Sequence, residues 1–378
     1  MKLSILVALI IGMSSFVMAQ KSKDKNFHLL VGTYTNTENT NGIHVYSFNA
    51  ETGEFAEKSK VVDITNPSYL AISKDKKNVY SVSEGGEGKG INAFSFDVKT
   101  GKLTLLNSGS AGGNGPCYIS VDDKKQTVFA GNYGGGSLSA TRLNKDGSLS
   151  EDIQVIQHTG SGVNKSRQEK PHVHAVVLSP DNRFLLVPDL GTDKVNIYRY
   201  EPGSTNPLTS AEPAFASVNP GGGPRHLTFH PNGKHAYVIL EMEGAIAAFD
   251  YHNGKLEGRQ SISMLAPGFN GDVGAADIHI SPDGKFLYGS NRGEANEIVI
   301  YSIDKNGGLT YAGRQADLIN TPRNFAIDPS GNFLLVGNQN GNDIVIFKRD
   351  QNTGLLTDSG KRIPVDKPVC LKFVSINE

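Results

Sequence analysis

Hydrophobic and polar residues alternate along most of the chain in short runs, and turns rich in Gly, Asn, Asp and Pro separate these runs. A period of two predicts β-strands with one buried face, and no segment keeps the 3.6-residue period of an amphipathic helix. The runs form a repeated unit, whose copies begin near residues 66, 115, 170, 223, 275, 321 and 367. Successive copies start roughly 46 to 55 residues apart, a spacing typical of repeat architectures.

Each unit contains four predicted strands. In one unit they are Asp277–Ile280, Phe286–Ser290, Glu297–Ile303 and Leu309–Gln315. The first two strands are joined by Pro282-Asp283-Gly284, a sequence suited to a tight hairpin turn. Four-stranded units at this spacing predict an all-β fold, a β-propeller with antiparallel blades.

The two chain ends carry complementary parts of one unit. Lys367–Phe373 resembles a first strand, whereas His28–Tyr34, Ile43–Phe48 and Glu54–Val62 resemble the second, third and fourth strands. We therefore predict seven blades, with the ring closed by pairing of the N- and C-terminal segments. A pair of β-sandwich domains would not explain these fragments. Residues 20–378 are expected to form a single propeller domain.

Composition limits the classes of partner. The chain of 378 residues has 37 Lys and Arg against 38 Asp and Glu, so no basic excess favours nucleic-acid binding. At the N-terminus, Lys2 precedes the apolar run Leu3–Met18, and small residues precede a possible cleavage point after Ala19. This pattern predicts a signal peptide over residues 1–19 and a periplasmic or secreted protein with no membrane anchor after cleavage. We expect a monomer or weak homo-oligomer.

The repeat register shows which side chains share one end of the central channel, here called the mouth. The inner strands begin there and the second strands end there, because each pair forms an antiparallel hairpin. The strand starts carry His174, Arg225, Ala276 and Arg323, with Ser68, Cys117 and Val369 in weaker copies. The strand ends carry Leu190, Glu241, Arg292 and Gln339, with Glu84, Asn132 and Tyr34 in weaker copies. Charged groups converging there form a candidate site, unless the channel lining is merely hydrated or Arg225 and Glu241 form a structural pair.

Other polar residues are weighed against this map. The long connection Gln157–Lys170 carries Arg167 and leads to the same mouth. His172 and His174 form a His-x-His pair, a weak metal motif without a third ligand of clear spacing, so neither metal nor cofactor is expected. His226 and His279 are interpreted as core hydrogen-bonding groups that lie deeper or on the other face.

The two cysteines, Cys117 and Cys370, fall in the third and first blades when the split unit is counted first. Their register positions should point the side chains in opposite directions. We therefore expect two free thiols in the interior, because a disulfide needs Cα atoms within about 7 Å.

Several motifs resemble one known family. They are Lys170-Pro171-His172-Val173-His174, Gly223-Pro224-Arg225-His226, Ala275–Gly284 and Ser290-Asn291-Arg292-Gly293. Together they are similar to the lactonase family of seven-bladed propellers, which includes propeller-type 6-phosphogluconolactonases and a carboxy-cis,cis-muconate cyclase. The resemblance extends over residues 28–373. It implies catalytic roles for His174, Arg225, Glu241 and Arg292, the same four residues that the register selects. Register and loop position add Arg323, His172 and Arg167 as substrate-binding candidates.

Three functions follow as hypotheses. The first is hydrolysis of a sugar lactone, with His174 as base and Glu241 orienting Arg225 or the water. The second is cyclisation of an unsaturated dicarboxylic acid to a lactone. The third is a non-catalytic propeller that binds a ligand or protein. An exported enzyme would meet unphosphorylated sugar lactones more readily than phosphorylated ones.

Overall fold

The computed structural model describes residues 24–35, 42–85, 90–124 and 126–377. These residues form 28 β-strands in seven four-stranded antiparallel sheets, which confirms the predicted all-β propeller. No helix that could span a bilayer occurs within these ranges. The predicted signal peptide, residues 1–19, lies outside the described residues.

Each sheet contributes one strand to each of four concentric positions. The inner strands are β4 (Leu70–Ile72), β8 (Pro116–Val121), β12 (Val177–Leu178), β16 (Pro224–Phe229), β20 (Ala275–Ile280), β24 (Pro322–Ile327) and β28 (Pro368–Ser375). The second strands are β1 (Asn26–Thr33), β5 (Asn78–Val82), β9 (Thr127–Asn132), β13 (Phe184–Asp189), β17 (His235–Leu240), β21 (Phe286–Asn291) and β25 (Phe333–Asn338).

The third strands are β2 (Ile43–Asn49), β6 (Ile91–Asp97), β10 (Ser137–Leu143), β14 (Lys194–Tyr200), β18 (Ala245–His252), β22 (Glu297–Ile303) and β26 (Asp343–Arg349). The outer strands are β3 (Phe55–Val61), β7 (Lys102–Gly109), β11 (Leu149–Gln157), β15 (Leu208–Ser217), β19 (Lys255–Ser263), β23 (Leu309–Gln315) and β27 (Leu356–Pro364).

The ring closes through a sheet shared by the two ends of the chain. Its strand order is β28-β1-β2-β3, and β28 pairs antiparallel with β1, with Leu371 opposite Val31. We call this sheet blade 1 and number blades 2–7 along the chain. The closure predicted from the complementary fragments is confirmed. Pairing β28 with β1 covers what would otherwise be an open sheet edge.

Burial falls from the second strands to the outer strands. Every residue of β17, β21 and β25 is buried, whereas most of β3 is exposed or half-buried. Tyrosines of the second strands also tie neighbouring blades together by donating to a turn carbonyl of the next blade; the pairs are Tyr80–Gly147, Tyr237–Gly307 and Tyr288–Gly354. All three glycines have positive φ, a conformation that glycine adopts without strain.

The inner strand of blade 4 is the shortest of the seven. Only Val177–Leu178 forms a ladder, with a separate bridge between Val173 and Asp189. The His174 N–H donates to the carbonyl of Pro188. Pro188 has no N–H with which to donate a hydrogen bond in return. Strand pairing is therefore interrupted beside His174.

Both cysteines are buried and free, as the sequence predicted. Cys117 lies at the start of β8 in blade 3, and Cys370 lies in β28 of blade 1. Burial raises the pKa of the Cys117 thiol to about 12 and that of Cys370 to about 11, so both thiols are protonated at neutral pH.

Candidate active site

A β-bulge shapes the start of the inner strand in blade 5. Between Pro224 and Leu227 the strand advances three residues while its partner advances two, so Arg225 and His226 together oppose one residue. Similar register shifts occur at the same end of the inner strands of blades 1, 3, 6 and 7. Bulges re-aim side chains that simple alternation would send to opposite faces. His226 consequently contacts Arg225, at 3.2 Å from Nε2 to Nη1, and does not lie on the other face.

Glu241, at the end of the second strand of blade 5, binds three guanidinium groups. Arg167 Nη2 donates to Oε1 at 2.7 Å, and Arg225 Nε donates to Oε2 at 2.9 Å. Arg292 Nη2 lies 3.2 Å from Oε2. Burial alone would raise the pKa of Glu241, but Arg292, Arg225 and Arg167 outweigh it and lower the pKa to about 2. The carboxylate is therefore ionised, and both of its oxygens hold arginines in place.

Among the described residues, Arg225 is the largest fully buried side chain, with 1 % of its surface exposed. Its Nη1 donates to the Ala276 carbonyl at 2.6 Å, in addition to the contacts with Glu241 and His226. Burial and the nearby Arg323 lower the pKa of Arg225, yet a guanidinium keeps its proton in proteins. A buried cation is costly unless it is paired, so Glu241 makes this placement possible.

Arg167 brings the connection between blades 3 and 4 to the mouth, where the sequence predicted it. Its side chain is 44 % exposed, and Nη2 also donates to the Tyr133 hydroxyl at 3.4 Å. The connection is anchored by Gln168, whose Nε2 donates to Asp193 Oδ1 at 2.7 Å and to the Leu190 carbonyl. Arg167 is thus the most exposed of the three arginines that contact Glu241.

His174 is a buried imidazole beside this group. Its Nδ1 lies 3.7 Å from Cys117 Sγ, and its ring makes edge contacts with Tyr133 and His226 at centroid distances of 5.4 Å. Burial, followed by the charge of Arg225, lowers the pKa of His174 well below its usual value. The ring is therefore neutral near pH 7.

Asp277 supports Arg225 through His226. Arg225 Nη1 donates to His226 Nε2, so Nδ1 carries the ring proton and donates to Asp277 Oδ1 at 2.7 Å. Asp277 Oδ2 contacts His279 Nε2 at 2.8 Å and accepts from the Asn324 amide. His226 is thus hydrogen-bonded in the core, as predicted, whereas His279 is hydrogen-bonded but only half-buried. Sequence reasoning missed Asp277, because the bulge at the start of β20 hides its relation to His226.

A second charged group lies at the mouth, formed by blades 1, 2 and 7. Arg323 Nη2 is 3.9 Å from Glu84 Oε2, and the guanidinium carbon lies 5.3 Å from the Tyr34 ring centroid. Glu84 Oε2 also accepts from the Tyr34 hydroxyl at 3.0 Å and from Ser68 Oγ at 2.5 Å. Arg323 therefore joins the candidate site, as its register suggested: it faces Glu84, and its charge also acts on Arg225.

His172 packs against Tyr133. The rings stack at a centroid distance of 4.5 Å, His172 Nδ1 lies 3.0 Å from the Tyr133 carbonyl oxygen, and Nε2 lies 3.4 Å from Glu169. Both ring nitrogens therefore have protein partners, and a role in substrate binding stays a prediction. In the described part of the chain, no three His, Cys, Asp or Glu residues are grouped as metal ligands.

Comparison with known proteins identifies the family. A family model described as "Lactonase, 7-bladed beta-propeller" matches residues 28–373. The chain belongs to this lactonase family. A 6-phosphogluconolactonase of Formosa agariphila is 40 % identical over 333 residues, covering 87 % of this chain and 94 % of the relative.

Two solved structures are similar to this propeller lactonase over nearly its whole length. One, from Bacteroides fragilis, is 44 % identical with a TM-score of 0.88 and covers 93 % of this chain and 98 % of its own. The other, the periplasmic gluconolactonase PpgL of Pseudomonas aeruginosa, is 36 % identical with a TM-score of 0.86 and covers 93 % and 100 %. The fold therefore recurs in proteins described as lactonases.

Charge distribution indicates what the mouth of this lactonase can bind. Four guanidiniums surround two carboxylates there: Arg167, Arg225, Arg292 and Arg323 against Glu84 and Glu241. The excess positive charge favours an anionic group or a developing oxyanion. Sequence reasoning placed Glu84 and Tyr34 at strand ends in the weaker copies of the repeat. It did not identify Tyr133, which directly follows Asn132, the strand end that the register selected.

Proposed function

We propose that this protein hydrolyses a sugar lactone at the mouth of its central channel. The observation that carries the proposal is the convergence of Arg167, Arg225 and Arg292 on Glu241, beside the neutral imidazole of His174. Membership of the lactonase family supports the reaction class. The excess positive charge of the mouth supports a reaction in which negative charge develops.

Arg225 and Arg292 are assigned to stabilise that charge. When water adds to the lactone carbonyl, the carbonyl oxygen becomes an oxyanion. N–H donors already fixed in position stabilise an oxyanion without reorganising during the reaction. Glu241 supplies this preorganisation by holding both guanidiniums at about 3 Å from one carboxylate oxygen. With a pKa of about 2 and both oxygens engaged, Glu241 is unsuited to act as the base.

His174 is assigned as the group that takes the proton of the attacking water. Its lowered pKa keeps the imidazole neutral and able to accept a proton. The tetrahedral intermediate then collapses, the ring C–O bond breaks, and the leaving alkoxide takes the proton from His174. The product is an open-chain hydroxy acid, and the imidazole returns to its neutral form. Arg225 and His226, which adjoin His174, keep the imidazolium short-lived by disfavouring its charge.

The substrate and compartment are proposed on separate grounds. The names of the relatives point to gluconolactone or its 6-phosphate, and half-exposed Arg167 at the rim is suited to contact a phosphate. The sequence of residues 1–19 and the periplasmic neighbour PpgL support export to the periplasm or medium. An exported enzyme would act on the unphosphorylated lactone.

Turnover by purified residues 20–378 tests the proposal. We expect hydrolysis of glucono-δ-lactone, of its 6-phosphate, or of both, faster than the spontaneous reaction at the same pH. The preferred substrate shows whether the excess charge serves to bind phosphate. Failure to accelerate either reaction, in a protein with an intact β-sheet spectrum, would contradict the proposed function.

A further inference from the structure

We propose that Glu84, with Tyr34 and Arg323, forms a subsite that binds the hydroxyl groups of a polyhydroxylated lactone. This inference rests on the proposed function and specifies its substrate class. The subsite lies on the wall formed by blades 1, 2 and 7, whereas Arg225, Glu241 and Arg292 belong to blades 5 and 6. It would distinguish a sugar lactone from a plain aliphatic lactone.

The carboxylate of Glu84 is held by one oxygen only. Both the Tyr34 hydroxyl and Ser68 Oγ donate to Oε2, and Arg323 faces the same oxygen. Among the described residues, Oε1 has no hydrogen-bond partner. Since the Glu84 side chain is 26 % exposed, Oε1 can accept hydrogen bonds from a molecule in the mouth. Hydroxyl groups are the donors that a sugar lactone offers and an aliphatic lactone lacks.

Arg323 supplies donors on the same wall. Its side chain is only 16 % exposed, yet it makes no side-chain hydrogen bond to any residue within the described ranges. Largely buried donors in folded proteins are nearly always satisfied, so these N–H groups require water or a ligand. Burial disfavours the charge of Arg323, but Tyr34 and Glu84 outweigh this effect and raise its pKa. The guanidinium therefore presents charged donors to hydroxyl oxygens.

The side chain of Asn66 holds this wall in place before any ligand binds. Asn66 Oδ1 accepts from the Thr35 N–H at 2.7 Å, and Asn66 Nδ2 donates to the Glu84 carbonyl at 2.8 Å. One side chain thus clamps the strand ends of blades 1 and 2 that carry Tyr34 and Glu84. Burial raises the pKa of Tyr34 to about 12, so its hydroxyl keeps the proton that it donates to Glu84. The subsite is preorganised.

The two walls differ in charge, and this difference orients the substrate. Three guanidiniums surround Glu241, which leaves that wall cationic, whereas Arg323 and Glu84 balance each other. The reacting carbonyl, where negative charge develops, belongs against the cationic wall. The hydroxyl-bearing part of the ring then faces Glu84 and Arg323.

A substrate pair tests the subsite. Glucono-δ-lactone and δ-valerolactone share the six-membered lactone ring, and only the first carries hydroxyl groups. We expect Glu84→Gln to lower kcat/KM for glucono-δ-lactone about 10- to 100-fold, the loss typical of hydrogen bonds to a charged group. For δ-valerolactone we expect a change of less than about twofold. Glu51→Gln serves as the matched control, since Glu51 is exposed and pairs with Lys25 at the surface.

The results on the two lactones separate a failure of the subsite from a failure of the proposed function. Equal losses on both lactones, or no loss on either, would overturn the subsite while leaving lactone hydrolysis in place. Binding of D-gluconate, measured by calorimetry, provides a readout independent of turnover. We expect Glu84→Gln to weaken it at least about tenfold; unchanged affinity, or no gluconate binding by the unaltered protein, would also overturn the proposal. Absence of lactone turnover by the unaltered protein would instead contradict the proposed function.

Discussion

At the scale of single residues, Glu241 and His174 have opposite electrostatic surroundings. Three arginines keep Glu241 ionised, and burial beside Arg225 keeps His174 neutral. Arginines occupy both oxygens of Glu241, whereas a neutral imidazole can accept a proton in the transition state. The proposed division of roles, with Glu241 positioning and His174 accepting the proton, follows from these surroundings.

The pH dependence of activity tests the role of His174. Its pKa is lowered, so the group stays deprotonated as pH falls through the ordinary histidine range. Glu241, with a pKa of about 2, keeps its charge over the same range. We therefore expect kcat/KM, corrected for spontaneous hydrolysis, to stay within about twofold between pH 8 and 5.5. A decline centred near pH 6.5 would contradict a base with a lowered pKa.

At the scale of strands, the repeat register predicted which residues share one end of a blade better than it predicted the directions of their side chains. Counting from the turn prolines brought Arg225 and Glu241 to the same end of one hairpin, because β16 and β17 have the same length. The bulge that turns both Arg225 and His226 toward one another adds a residue without a recognisable sequence pattern. For the same reason, the link from His226 to Asp277 could not be predicted.

The connection of neighbouring blades through tyrosine hydroxyls gives a prediction at this scale. Tyr237 is fully buried, and its hydroxyl donates to the Gly307 carbonyl of the next blade at 2.9 Å. Tyr237→Phe removes this donor and leaves a buried carbonyl unpaired, so we expect a loss of about 1–2 kcal/mol in the free energy of unfolding. Denaturant titration measures the loss. Tyr311→Phe, at a half-exposed site, should change stability by less than about 0.5 kcal/mol.

A stability loss for Tyr237→Phe no larger than that of Tyr311→Phe would show that the hydroxyl bonds do not hold the blades together. Hydrophobic packing between the sheets would then carry the whole contact. Packing also contributes to the contact between the blades, because Tyr237 lies in a buried cluster with Met264, Leu287 and Tyr301.

At the scale of the whole molecule, the sequence predicted the number of blades and the closure of the ring. Both conclusions depended on counting the fragments at the chain ends, which the pairing of β28 with β1 joins into blade 1. The short inner strand of blade 4 was not predicted, because the interruption depends on Pro188 pairing beside His174. Contacts across the mouth, such as Arg323 with Glu84, join blades that are far apart in sequence and leave no local pattern.

Ring closure can be tested by comparing two buried leucines. Leu371, in the closing strand β28, and Leu335, in the second strand of blade 7, belong to the same buried cluster. If closure is part of the core, Leu371→Ala should cost about 2–5 kcal/mol in the free energy of unfolding, like Leu335→Ala. Thermal or denaturant unfolding compares them. A cost below about 0.5 kcal/mol for Leu371→Ala alone would contradict this account.

The central claim is that lactone hydrolysis takes place beside Arg225. The most direct measurement is kcat/KM for glucono-δ-lactone and its 6-phosphate in Arg225→Ala and Arg225→Lys, with folding monitored by circular dichroism. The control is Arg183→Ala, since Arg183 is exposed at the turn of blade 4. We predict that the folded Arg225 variants lose about 10²–10³-fold on the better substrate and that the control stays within about twofold. A folded Arg225→Ala protein that retains more than about half of the activity would contradict the account.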